Sequence, residues 1–181
     1  MAEWDDSYDP LISLKQRLQA FPAVVVDSEE LQIWVPDEDS LNRLGYVVTG
    51  SRKEWEDQVL VLAKLIVDGL SARDLMRLAK SLGCFDESLS DKSLKLLEAC
   101  LVCAGAAGET IQEILGPLHN VWNLRSAGGV AHRGSSAAPA EPSAGFRNLL
   151  AEVDHAIKTL VKVIDAGCLS GVNAGRHAAR R

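Results

Sequence analysis

The chain has 181 residues, is 47% hydrophobic but only 5% aromatic, and carries a net charge of -6. That profile suits one helix-rich domain with a full core of its own. It excludes wholesale coating of nucleic acid, which relies on a basic face, so any nucleic-acid contact has to be local.

In chain order, PLISLKQRLQA (10–20) places leucines at helical spacing behind a proline suited to a first turn, and predicts a short helix. AVVVDS (23–28) and LQIWVP (31–36) change to β-branched and aromatic composition, predicting a small hairpin connected through Ser28, Glu29 and Glu30. Asp37 to Leu44 reads as a short capped helix and Tyr46 to Thr49 as a third strand. These first fifty residues form an α+β cap with too few apolar residues to stand alone.

From Ser51 the periodicity is helical. Ser51 with Glu54 has the capping-box spacing, and Trp55, Val59, Leu62 and Ile66 make a stripe widened by Leu60, Ala63 and Val67. Ser71 with Asp74 opens a helix through Leu78 and Leu82 that Gly83 closes. Ser90 is the expected cap of a third long helix, after which Gly105 and Gly108 loosen the chain and Glu109 to Leu115 restarts it. Gly116-Pro117 predicts a kink or a fresh helix start, because proline removes a backbone donor. The next helix has Leu118, Val121, Trp122 and Leu124 on its apolar side and breaks at Gly128-Gly129. Residues 133–145 read as a loop. Phe146, Leu149, Leu150, Val153, Ile157, Leu160 and Ile164 build the last helix, ended by Gly167. The expected architecture is mainly α: an antiparallel bundle of four or five main helices over 51–168, an N-terminal α+β cap over 1–50 and a flexible tail over 169–181.

No apolar run approaches the roughly 20 residues of a membrane span. The opening MAEWDDSYDP lacks the basic and apolar regions of a signal peptide. The four cysteines lie mostly in or beside apolar sequence, so they are expected to be reduced thiols of a cytoplasmic protein. Cys100-x-x-Cys103 has ligand spacing but lacks a second pair, and the Asp37, Glu38, Asp39 cluster matches a capped, solvated turn. Neither points to a metal or a cofactor.

The segment PLHNVWNLRSAGGVAHR (117–133) is the chemically distinctive stretch. On an unbroken helix Arg125 and His132 would stand about 10.5 Å apart along the axis, too far to share one phosphate. The glycine pair allows the chain to turn His132 back toward Arg125. An imidazole that titrates near neutral pH and a guanidinium that grips two oxygens suit RNA cleavage by its own 2'-hydroxyl. Asn120, Asn123, Ser126 and Arg133 are candidate substrate contacts, with Arg147 and His119 as further candidates and Trp122 as either a stacking plane or a core residue. The plainer reading has Arg125 capping a helix C-terminus and His132 as an ordinary loop residue.

LRSAGGVAHRG resembles the Arg-x(4-6)-His signature of HEPN domains (higher eukaryotes and prokaryotes nucleotide-binding), all-helical modules that include bacterial toxin and phage-defence endoribonucleases. The resemblance covers about a dozen residues. It implies Arg125 and His132 as the catalytic pair, metal-independent RNA cleavage leaving a cyclic phosphate, and a composite cleft made by a homodimer. It also implies an RNA substrate and an antitoxin or regulatory protein as partner. Ser126 stands where the family often has asparagine. The family includes non-catalytic members, and the alternative is a dimerising or RNA- or partner-binding module.

Overall fold

The computed structural model describes residues 8–90, 92–126 and 139–169. Among them the chain is mainly helical, with seven α-helices and one two-stranded antiparallel sheet near the N-terminus. No helix of the described residues is long and apolar enough to cross a membrane.

Helix α1 (Pro10–Gln19) starts as its sequence requires: the Asp9 carboxylate accepts the N–H groups of Leu11 and Ile12 at 2.9 and 3.1 Å, and Pro10 occupies the first turn. Its Leu14 and Leu18 are buried. Strands β1 (Val24–Val26) and β2 (Glu29–Leu31) pair in the register Val24 to Leu31 and Val26 to Glu29. The turn is therefore the two residues Asp27-Ser28, both with positive φ (50° and 69°), and not the expected Ser28 to Glu30 connection. A tight turn with both central residues left-handed matches the twist of a hairpin, and this releases Glu29 and Glu30 into the strand.

Asp37 caps α2 (Glu38–Arg43) through the Ser40 amide at 2.9 Å and also takes Lys64 Nζ at 2.9 Å. The Ser40 hydroxyl first and Lys64 next bring its pKa down to about 2. Tyr46 to Thr49 does not form the expected third strand. Its Val48 and Thr49 amides go to the Glu54 carboxylate of the next helix at 3.0 and 2.7 Å, and the amide of Gly45 just before it goes to Gln58 at 2.8 Å. Glu54 consequently leaves the capping box half made. Ser51 Oγ accepts the Glu54 amide at 3.2 Å, while the Glu54 side chain reaches back to 48 and 49.

Helix α3 (Arg52–Ala63) buries Trp55, Val59 and Leu62 and continues into a π turn, Lys64–Asp68, that buries Leu65 and Ile66. Leu60, expected to widen the apolar stripe, is 42% exposed. The π turn meets the strand-like segment after the hairpin: Trp34 bridges to Leu70, Val35 donates to the Gly69 carbonyl at 2.8 Å and Trp34 Nε1 donates to the Leu65 carbonyl at 3.1 Å. Helix α4 (Ala72–Ser81) is capped by Ser71 and closed by Gly83 in the left-handed region at φ 75°. Ser90 does not cap the following helix. Asp86 nucleates a 3-10 turn (Glu87–Leu89), Ser90 ends it, and α5 (Ser93–Cys103) starts behind Lys92.

Helix α6 (Gly108–Ser126) is continuous across Gly116-Pro117, so the proline does not mark a fresh helix start. Proline inside a helix costs about 3 kcal/mol. Ile114 and Leu115 before it and Leu118 and Val121 after it are all buried, and each such side chain returns roughly 1.5–3 kcal/mol, so packing carries the helix across. It packs against α3, α5 and the last helix, α7 (Pro142–Asp165), which begins inside the stretch expected to be loop. Helix α7 is also the partner of α1. Between these two lies the buried Asp154, whose carboxylate accepts from Tyr8 Oη at 2.7 Å, Ser13 Oγ at 3.0 Å and Arg17 Nε at 2.8 Å.

Truncating Asp154 leaves three donors without their acceptor. Asp154→Ala is expected to lower stability by about 2–3 kcal/mol, read as a shift of the urea midpoint, less than for a fully buried pair because Arg17 keeps solvent access. Burial, and next the bond to Asp154, raise the Tyr8 pKa from 10.0 to about 12. The folded state thus favours the neutral phenol, so this contribution is intact below pH 10 and lost as pH rises toward 12. A stability profile of Tyr8→Phe that falls as steeply as the parent's over that window would contradict the assignment.

Candidate functional site

On α6, Leu118, Val121 and Arg125 follow one another at helical spacing, and the first two are buried. Arg125 therefore carries the core-facing side of the helix to its last turn, where the core runs out. There its Nη1 meets Asp68 Oδ1, the last residue of the π turn, at 2.6 Å. The arginine side chain is 38% exposed and the aspartate 46%. A cation in the final turn is favoured by the helix dipole, and an ion pair this exposed is worth at most about 1 kcal/mol. The bond uses one of five N–H donors on the guanidinium fork.

Beside this pair lies a groove of about 740 Å³. Val67, Leu70 and Leu94 supply apolar lining, Lys92 and Lys95 come from the start of α5, and α6 contributes His119 and Trp122. Trp122 is 45% exposed, so the indole expected on the apolar side of α6 faces outward. Lys95 Nζ bonds Glu98 at 2.7 Å and Lys92 Nζ the Ser88 carbonyl at 3.2 Å. Both are exposed contacts of the kind that exchange readily with solvent or ligand. An indole face with cations at its rim has the chemistry to stack a base and hold the phosphate next to it.

Of the candidates read from sequence, Arg125 and Ser126 end α6, and Asn120 and Asn123 are exposed on it. Asn123 and Ser126 sit one turn beyond His119 and Trp122 respectively, on the groove side, whereas Asn120 lies farther round. His132 and Arg133 fall outside the described residues, as does the Gly128-Gly129 break. Arg147, a candidate phosphate contact, is committed elsewhere: its guanidinium lies over the Tyr46 ring at 5.5 Å. Nearby, the Tyr46 hydroxyl donates to Asp9 at 2.6 Å; that bond first, and Arg147 to a lesser extent, hold the Asp9 carboxyl below its ordinary value.

Asp68, Lys92 and Lys95 were not singled out from sequence. Each is an ordinary charged residue of a helical surface, and only the packing of α3, α5 and α6 places them at one groove. Cys100 and Cys103 lie on α5, their thiols directed at the Leu75 and Leu82 carbonyls at 3.8 and 3.1 Å. Compared with protein-family models, with characterised proteins and with solved structures, the chain matched none.

Arg125→Ala is expected to change stability by less than about 1 kcal/mol, and a double-mutant cycle with Asp68→Ala to give a coupling of about 0.2–1 kcal/mol. A loss of several kcal/mol in urea unfolding would make Arg125 a structural residue first.

Proposed function

We propose that the C-terminal end of α6 is an RNA site and that the protein is a metal-independent endoribonuclease. Arg125 stabilises charge on the scissile phosphate and His132 transfers the proton, with the 2'-hydroxyl attacking to leave a cyclic phosphate. Two copies of the chain together complete the cleft. The observation that carries the reading is the pairing of an arginine in the last helical turn with a neighbouring groove that presents an exposed indole, an imidazole and two lysines. A strand whose phosphate sits at Arg125 has a base within reach of Trp122, one turn back on the same helix. The resemblance of LRSAGGVAHRG to the HEPN signature supports the same assignment and extends it to a toxin or phage-defence setting with a neutralising partner.

The Asp68 contact favours a second reading. A carboxylate bonded to Arg125 offsets the charge that would attract a phosphate and fits an arginine that ties α6 to the end of the π turn. In that case the helical body is a dimerising or partner-binding module without catalysis.

The two readings separate in one assay. With purified protein and a single-stranded RNA, His132→Ala and Arg125→Ala are each expected to reduce cleavage by about 10²–10⁴-fold with unchanged helical circular dichroism, and the parent's products to end in cyclic phosphates by mass spectrometry. Trp122→Ala is expected to weaken RNA binding by about 1–3 kcal/mol. Full activity in His132→Ala sinks the catalytic assignment, and unchanged affinity in Trp122→Ala sinks the groove.

A further inference from the structure

Helices α4 and α5 pack against each other, and their facing ends bring together cysteines that are far apart in sequence. The left-handed Gly83 reverses the chain after α4: its N–H bonds the Lys80 carbonyl at 3.1 Å and that of Cys84 the Ala79 carbonyl at 2.9 Å. This closure leaves the Leu82 carbonyl to Cys103 Sγ, at 3.1 Å, and so sets Cys84, two residues on, beside the thiols of Cys103 and Cys100. Cys103 is exposed in the last turn of α5, Cys84 is half-buried behind it, and Cys100 is fully buried one turn earlier.

We propose that Cys84 and Cys103 form an oxidative modification site, in which a hydroperoxide oxidises the exposed Cys103 and Cys84 then closes an intrachain disulfide. In the first step Cys103 sulfur attacks the peroxide, an S–O bond forms, the O–O bond breaks, and an alcohol or water leaves with the thiol proton. In the second, Cys84 sulfur attacks the Cys103 sulfenic acid, the S–S bond forms, the S–O bond breaks, and the departing hydroxide takes the Cys84 proton as water. Two thiols lose two electrons and the peroxide gains them.

The roles follow from access. Cys103 meets solvent, as a first target of oxidant must. Cys84 is half-buried behind it and is the less accessible of the two, which makes it the second thiol to react. The Cys103 contact with the Leu82 carbonyl, two residues before Cys84, keeps the two cysteines close and supplies the effective concentration for the second step. The closed ring runs from 84 to 103 and contains Lys92 and Lys95 of the groove.

The test treats the full-length protein with hydrogen peroxide and maps it with trypsin without reduction. Cleavage after lysine and arginine puts Cys84 in residues 81–92 and both other candidates in 96–125. The expected result is a disulfide between these two peptides within one chain, retained in Cys100→Ser and absent in Cys103→Ser. In Cys84→Ser, Cys103 is expected to accumulate as a sulfenic acid trapped by dimedone. Each variant's circular dichroism checks that it is folded. A bridge to Cys100, bridges only between chains, or Cys103 passing to sulfinic acid unbridged in the parent would each overturn the proposal.

Discussion

One missing side chain holds the N-terminal segment to the helical body. A Cβ at Gly69 would lie 2.3 Å from the Leu65 carbonyl oxygen and 3.0 Å from Trp34 Nε1. Only glycine leaves that space, and through it the fully buried Trp34 reaches its single strong acceptor, the Leu65 carbonyl. The π turn Lys64–Asp68 ends at that contact, and its last residue is the aspartate that meets Arg125. π turns inside α-helices are uncommon and are frequent at functional sites. Here one wide turn sets both the docking of the hairpin segment and the position of the carboxylate at the candidate site.

The electrostatics at that site are local rather than global. A net charge of -6 gives the molecule no long-range attraction for RNA, so the groove has to act within about 10 Å, the reach of a charge at moderate salt. Lys92 and Lys95 line it, Arg125 lies beside it, and Asp68 and Glu98 are opposing charges. Breaking an exposed Arg125–Asp68 pair costs at most about 1 kcal/mol, whereas charge-assisted bonds to a phosphate return about 1.5–3 kcal/mol. On these magnitudes the ion pair orients the guanidinium in the free protein without preventing it from binding an anion.

Much of the fold was legible in the chain because its signals are short-range. Asp37, Ser51 and Ser71 cap the helices that follow them, Gly83 and Gly167 end theirs in the left-handed region, and the stripes of α3 and α7 are buried largely as their spacing demands. What failed depended on distant partners. The helix crosses Pro117 because its flanking aliphatics find α3, α5 and α7, and Tyr46 to Thr49 is no strand because Glu54 claims the Val48 and Thr49 amide donors. Trp122 sits at an apolar position of α6 and is nonetheless 45% exposed, because it borders the groove beside α5 rather than the core. The arginine of the candidate site was legible from its place in a final helical turn. Its partner 57 residues away, and the groove beside it, were not, because they exist only through tertiary packing.

The central claim is that Arg125 and His132 act on one phosphodiester. The most direct measurement is a crystal structure of the protein with a short RNA carrying a 2'-deoxy sugar at the scissile position, which removes the attacking hydroxyl and traps the complex. The account predicts Arg125 and His132, from one chain or from two across a dimer, within hydrogen-bonding distance of the same phosphate, and a base stacked on Trp122. RNA seated elsewhere, or Arg125 still turned to Asp68 with His132 facing away from it, would contradict it.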